Sequence, residues 1–228
     1  MKNACTCLYC EQYIVTKCSY ISRRYILLSD HYYSSNPSAT SKPQNISFTL
    51  KGNELRFKSD SGVFSKNEVD FGSRLLIETF QFPAIEGDLL DIGCGYGPIG
   101  LALAKCAQTR NVDMIDVNER ALELAKENAI VNSIDNVSIF KSDLFESVRE
   151  KRYAAILSNP PIRAGKKVVH HILEESCRFL EAKGELWIVI QKKQGAPSAI
   201  AKLQSLFDET EIVKKDKGYY IIKAFNNE

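Results

Sequence analysis

The chain has 228 residues, with Lys and Arg totalling 30, Asp and Glu 28, and a net charge of +2. Hydrophobic residues make up 44% and charged residues 25%, proportions of a globular chain that exclude a fully disordered or fibrous one. No stretch approaches the ~20 apolar residues that a membrane span needs, and the near-neutral balance leaves nucleic-acid contact to local basic patches rather than bulk charge.

The length suits one large α/β domain better than two separate cores. Cys5, Cys7, Cys10 and Cys18 crowd the N-terminus, while Cys94, Cys106 and Cys177 are scattered through apolar segments. An odd, scattered set is no disulfide framework and fits a reducing, cytoplasmic compartment. Cys7-x-x-Cys10 resembles one zinc knuckle, but a second knuckle and a nearby His are missing, so no metal site is expected. Residues 1–30 lack the apolar run of a signal peptide and read as a poorly ordered Cys-containing extension.

Residues 31–44, rich in Ser, Pro and Asn, mark a linker. Ile46, Phe48 and Leu50 alternate before a turn containing Gly52-Asn53, and Leu55 and Phe57 follow, which predicts a β-hairpin over residues 45–58. Leu75, Leu76, Thr79 and Phe80 predict a helix within residues 67–82. From residue 88, short apolar runs alternate with amphipathic stretches. Strands are predicted at Leu89–Ile92, Val112–Val117, Val137–Phe140, Tyr153–Leu157 and Glu185–Ile190, and helices at Pro98–Cys106, Glu119–Val131, a long stretch around Val169–Leu180, and Pro197–Phe207. Strands around Thr210–Val213 and Tyr219–Lys223, joined by a turn over Lys214–Gly218, close the chain. This order predicts a Rossmann-like α/β domain over residues 31–228, a mostly parallel sheet covered on both faces with an antiparallel last strand.

The clearest chemical signal is Asp91-Ile92-Gly93-Cys94-Gly95-Tyr96-Gly97, where the first buried strand meets a helix. Glycines there let a ligand approach the main chain. Gly95–Gly100 also matches the dinucleotide fingerprint G-x-G-x-x-G, which keeps a nicotinamide oxidoreductase open as a rival. The match begins late, however, and Asp91 at the strand end would repel a pyrophosphate while suiting a cationic sulfonium amino acid. Asp116 ends the second strand, where a carboxylate accepts ribose hydroxyls; its other reading is a solvated strand end. Asp143, after the third strand, is placed to accept an adenine amino group or to cap a helix.

Ser158-Asn159-Pro160-Pro161 follows the fourth strand. Two prolines fix the backbone and remove two N–H donors. The Pro160 carbonyl and the Asn159 side-chain oxygen are then two aligned acceptors, suited to gripping an –NH₂ group and orienting its lone pair. Arg163, Lys166, Lys167, Lys192 and Lys193 follow the fourth and fifth strands and are expected at the same mouth, where they can hold phosphates. His170 and His171 read as helix-surface residues.

These motifs, with Gly62-Val63-Phe64-Ser65 and Asp70-Phe71-Gly72-Ser73, resemble those of class I S-adenosylmethionine-dependent methyltransferases. Within that superfamily the chain is similar to the small-methyltransferase domain of ribosomal RNA guanine-N2 methyltransferases (RsmC-like), over about residues 31–225. The resemblance implies a seven-stranded sheet, S-adenosylmethionine as cofactor, an RNA substrate in ribosomal RNA or a ribosomal particle, and no membrane partner. It assigns no oligomeric state. It further implies that Gly93, Gly95 and Gly97 line the methionine part of the cofactor beside Asp91, that Asp116 with Val117 takes the ribose, and that Asp143 with Leu144 takes the adenine. Asn159 and Pro160 would hold the target amine, with Phe64, Pro161, Ile162, Arg163 and Lys192 on the substrate side.

Two departures stand out. Ile162 occupies the place where the family usually has a stacking aromatic, and it packs on a base more weakly than a ring does. Longer relatives carry a second, degenerate domain copy upstream; 228 residues hold no room for one, so RNA recognition is expected from this domain's own surface or from a partner. Two further rivals remain: a protein-glutamine N5 methyltransferase, which would share the Asn-Pro-Pro grip, and a non-catalytic RNA-binding module.

Overall fold

The computed structural model describes residues 40–65, 67–149 and 151–227. The Cys-containing extension with its Cys7-x-x-Cys10 pair, and the linker up to residue 39, lie outside the described residues. The predicted hairpin forms from β1 (Gln44–Leu50) and β2 (Asn53–Ser59). Its tight turn is Lys51-Gly52, both at positive φ (44° and 77°), the backbone that a two-residue hairpin turn demands. The helix expected within 67–82 is α1 (Phe71–Thr79). It starts later because Asp70 caps it, its side chain accepting the Ser73 N–H.

The remaining elements are β3 (Leu89–Ile92), α2 (Pro98–Cys106), β4 (Val112–Asp116), α3 (Glu119–Val131), β5 (Val137–Lys141), β6 (Tyr153–Ser158), α4 (Lys166–Phe179), β7 (Leu180–Gln191), α5 (Ala196–Gln204), β8 (Glu209–Asp216) and β9 (Tyr219–Phe225). The strands make a seven-stranded sheet in the order β5-β4-β3-β6-β7-β9-β8. Pairings from β5 through β7 are parallel, and β9 runs antiparallel to both β7 and β8. The expected Lys214–Gly218 turn shrinks to Lys217-Gly218 because β8 pairs out to Asp216.

Alternation along β7 shows why both faces are covered. Trp187 and Val189 pack in one apolar layer with Leu76, Leu101 and Ala125, while Ile188 and Ile190 pack in the other with Ile172 and Leu203. Among the described residues no helix is long and apolar enough to cross a membrane.

The hairpin is fastened to α3 by two asparagines one turn apart. Asn128 Oδ1 accepts the Lys58 N–H (2.7 Å) and its Nδ2 donates to the Lys58 carbonyl (3.0 Å). Asn132 repeats the pattern with Arg56, at 2.9 and 2.7 Å. Two carboxamides thus stand in for a neighbouring strand at the open edge of β2. The chain leaves β3 toward β4 and returns through β6 on the other side. The carboxyl ends of β3 and β6 therefore form a switch point, where open α/β sheets bind ligands.

Candidate active site

A cavity of about 810 Å³ opens at that switch point. It is bordered by the loops after β3, β4, β5 and β6 and by side chains from between β2 and α1 and from the first turn of α1, among them Val63, Phe64, Asp70 and Ser73. Its size is that of a small-molecule site.

The loop after β3 is held by its own backbone. The Gly93 and Cys94 N–H groups both donate to the Ile115 carbonyl at 2.9 Å. Gly93 and Gly95 sit at φ 72° and 58°, and a Cβ on either would meet nothing within 4 Å, so a ligand has room to reach the main chain. Asp116 secures the loop from β4: Oδ2 accepts the Gly95 N–H (2.9 Å) and Oδ1 the Asn118 N–H (2.9 Å). Burial raises the Asp116 carboxyl above its usual range, and the N–H groups of Asn118, Gly95 and Val117 oppose that shift.

Two of the expected cofactor residues stand behind the wall rather than on it. Gly97 does not line the cavity; a Cβ there would lie 2.8 Å from Leu101 Cδ1, so its lack of a side chain serves the start of α2. Asp91 does not line it either, because Oδ2 turns to accept the Gly100 N–H (2.8 Å), one of the unpaired donors in the first turn of α2. Asp91 Oδ1 is buried with no hydrogen-bond partner. Burial foremost, with some help from the Asp116 charge and against the Gly100 N–H, pushes this carboxyl up to about 7. Asp116, Val117, Asp143 and Leu144 all line the cavity. No helix follows Asp143; Leu144 turns the chain at φ 48°, and Ser142 Oγ, which donates to the Leu144 carbonyl (2.6 Å), holds that turn.

Asn159 and Pro160 face the same cavity from β6. Ser158 Oγ donates to the Ile92 carbonyl (2.9 Å) and locks the end of β6 to β3. Asn159 Nδ2 donates to Ser73 Oγ (3.0 Å) and to Asp70 Oδ1 and Oδ2 (3.3 and 3.4 Å). A carboxylate offers no proton, so the amide must present its NH₂ to Asp70 and its oxygen the other way. The Pro161 carbonyl is taken by the Ala164 N–H (2.9 Å), whereas among the described residues no donor engages the Pro160 carbonyl or Asn159 Oδ1. The two acceptors anticipated from Asn-Pro-Pro are thus both available.

Phe64, Pro161, Ile162 and Arg163 also line the cavity, but Lys192 does not. Lys192 is exposed after β7, and its N–H is spent on the Gly218 carbonyl (2.8 Å). Lys166, Lys167 and Lys193 are likewise exposed and off the wall. His170 is half-buried on α4 against Ser198 Oγ (3.1 Å), away from the cavity. Asp70, Ser73 and Tyr219 line the site without having been assigned roles from sequence. Asp70-x-x-Ser73 carries the signature of a helix start, and that signal hid the second use of both side chains.

A match to the methyltransferase small domain family spans residues 54–223. The chain belongs to the methyltransferase small domain family. One relative is the uncharacterized protein YbxB of Bacillus subtilis (strain 168), 63% identical over 198 residues that cover 86% of this chain and 98% of that protein. Another is ribosomal RNA small subunit methyltransferase C of Vibrio vulnificus (strain CMCP6), 35% identical over 150 residues, 64% of this chain and 43% of that protein. The 16S rRNA N2 G1207 methyltransferase (RsmC) of T. Thermophilus, solved with AdoMet and guanosine, shares the fold at a TM-score of 0.72 and 24% identity. That alignment covers 83% of this chain and 52% of the T. Thermophilus chain. The chain therefore spans about half the length of the rRNA methyltransferases it matches. Membership of a small-domain methyltransferase family leaves the nicotinamide reading no separate ground, since Gly100, the last glycine of the fingerprint match, is accounted for by the close packing of α2 on β4, where a Cβ would lie 2.6 Å from Met114.

Proposed function

We propose that this protein is an S-adenosylmethionine-dependent N-methyltransferase whose target is the N2 amino group of guanine in small-subunit ribosomal RNA, acting in the cytoplasm. The observation that carries the reading is the orientation of Asn159: its NH₂ is tied to Asp70 and Ser73, which leaves its oxygen unengaged, as the Pro160 carbonyl is, and both residues line the cavity. Relatives named as small-subunit rRNA methyltransferases, and a fold shared with an enzyme solved with AdoMet and guanosine, support the choice of cofactor and base.

The residues present fit the cofactor. The cradle at Gly93 and Gly95 is open, and the buried, unpartnered Asp91 Oδ1 suits a neighbouring positive charge. The Asp116 carboxylate keeps acceptor capacity for ribose hydroxyls after serving the loop. Val117 and Leu144 supply apolar wall, and Asp143 offers an acceptor for the adenine amino group. When bound, the cofactor supplies a methyl group on a cationic sulfur.

Asn159 Oδ1 and the Pro160 carbonyl accept the two hydrogens of the target amine. That grip aims the nitrogen lone pair along one line and stabilises the positive charge that the nitrogen gains. Pro161 keeps the grip stiff by removing backbone freedom. No strong base is required, because the nitrogen becomes acidic as it is alkylated. Phe64 and Ile162 offer apolar contact to the base, and Arg163, with Lys192 farther out, offers positive charge to phosphates. The Cys-containing residues 1–30 form an extension to this domain in the same reading.

The test is transfer of labelled methyl from S-adenosylmethionine by the purified chain to small-subunit RNA, naked or assembled, against a protein substrate in parallel. Label recovered as N2-methylguanosine is the expected result. Label on protein glutamine would install the rival acceptor, and RNA binding without transfer would favour the non-catalytic module.

A further inference from the structure

A flat base held by one edge needs a surface for its face, and aromatic rings are the usual surface because every base has a π-face. The acceptor pair at Asn159 and Pro160 has no ring beside it in sequence; the next cavity-lining side chains are Pro161 and Ile162. Among the described residues three rings line the cavity, Phe64, Tyr96 and Tyr219. Tyr96 is 2% exposed, with its hydroxyl directed to the Ser65 and Glu68 carbonyls (3.4 and 3.2 Å), which makes it wall. Phe64 is 42% exposed on the turn after β2.

Tyr219 is different. It is the first residue of β9, the strand that runs against the others. Its start, not its end, therefore lies at the carboxyl ends of the parallel strands, where the cavity is. The ring rests on the backbone of α1: a Cβ added to Gly72 would lie 3.0 Å from Tyr219 Cε1 and 3.0 Å from Asp70 Oδ1. Ring and carboxylate thus flank one point, and the same Asp70 oxygen is 3.3 Å from Asn159 Nδ2. Phe71 packs against the ring at a tilt of 53° (centroids 5.5 Å apart), and Lys217 Nζ sits 4.7 Å from the centre of the Phe71 ring. The turn carrying it is fixed by the Lys192 N–H to Gly218 carbonyl bond (2.8 Å).

We propose that Tyr219 is the aromatic platform that holds the face of the target base while Asn159 and Pro160 hold its amine. The proposal rests on the N-methyltransferase reading above and adds a base-contacting residue to it. Its hydroxyl is not required; its ring is.

Two measurements on the full chain test this. In the first, ring-labelled tyrosine is followed by NMR in protein saturated with S-adenosylhomocysteine, the Tyr219 signal being assigned from the Tyr219→Phe variant. Guanosine is expected to shift that signal upfield. A shift with adenosine or cytidine and not guanosine would keep the platform and sink the choice of guanine. Indifference of the signal to all three nucleosides would overturn the platform, whether or not RNA is methylated. In the second, Tyr219→Phe is expected to keep wild-type kcat/KM for RNA, while Tyr219→Leu loses about ten- to a hundredfold at unchanged S-adenosylhomocysteine affinity and melting temperature. An undiminished kcat/KM in the leucine variant would overturn the proposal. Failure of the wild-type chain to methylate any RNA would instead strike the function reading and leave the nucleoside titration to decide the ring.

Discussion

The loops after β3 and after β6 meet at one cavity but are made rigid in opposite ways. The β3 loop is fixed from nearby: Gly93 and Cys94 bond to the adjacent strand β4, and Asp116 at the end of that strand seizes Gly95. The β6 loop is stiffened by two prolines, yet the direction of its one decisive side chain is set from far away. Asp70 and Ser73 stand 89 and 86 residues before Asn159. A ligand that is always the same can be held by a self-contained loop. A reacting group whose lone pair must point along one line needs an external brace, and α1 provides it.

Substitutions can pull the two halves apart. The largest effect is expected from Asn159→Ala, which removes one of the two acceptors: kcat should fall by at least about a hundredfold, while calorimetric affinity for S-adenosylhomocysteine stays at the wild-type value. A joint loss of both would mean that the halves are not separable. Asp116→Ala should do the reverse, weakening cofactor affinity about tenfold or more by freeing Gly95 and removing a ribose acceptor. Asp70→Asn should lower kcat by about five- to tenfold, because an amide facing Asn159 lets it flip. Its melting temperature should stay near wild type, since Asn caps helices as well as Asp does. Unchanged kcat in that variant would show that Asn159 needs no brace.

The smallest effect is a pH dependence on the cofactor side. Asp91 titrates near 7 in the folded chain against 3.8 for the ordinary group. A group raised in this way stabilises the fold when protonated, so its contribution declines as pH rises from about 4 to about 7. A cationic ligand favours the ionised form, so its affinity should climb a few-fold as pH rises through 7. Asp91→Asn should flatten both trends, read by thermal melting and by titration across pH 5.5–8.5. A slope that survives the substitution would move the effect to another group.

The same contrast explains which parts of the molecule are legible in the sequence. The Asp91–Gly97 loop, Asp116 and the Asn159-Pro160 pair are contiguous or sit at strand ends that hydrophobic runs announce. The succession of strands and helices and the two-sided core followed from the same runs. Asp91 was legible as an acid at a strand end but not as a group turned beneath α2, because Gly100 becomes its partner only once the helix packs. Helix α1 is shorter than its apolar spacing implied because Asp70 caps it. The brace on Asn159 showed only as a helix-start motif, and the ring of Tyr219 left no local pattern. Both depend on where α1 and an antiparallel strand land relative to β6, which is a property of the assembled sheet.

The most direct measurement is nucleoside-resolved mass spectrometry of small-subunit ribosomal RNA from cells lacking this protein, complemented with the wild-type chain or with Asn159→Ala. One N2-methylguanosine should disappear without the protein, return with the wild type and stay absent with the variant. Equal N2-methylguanosine in all three strains would contradict the account.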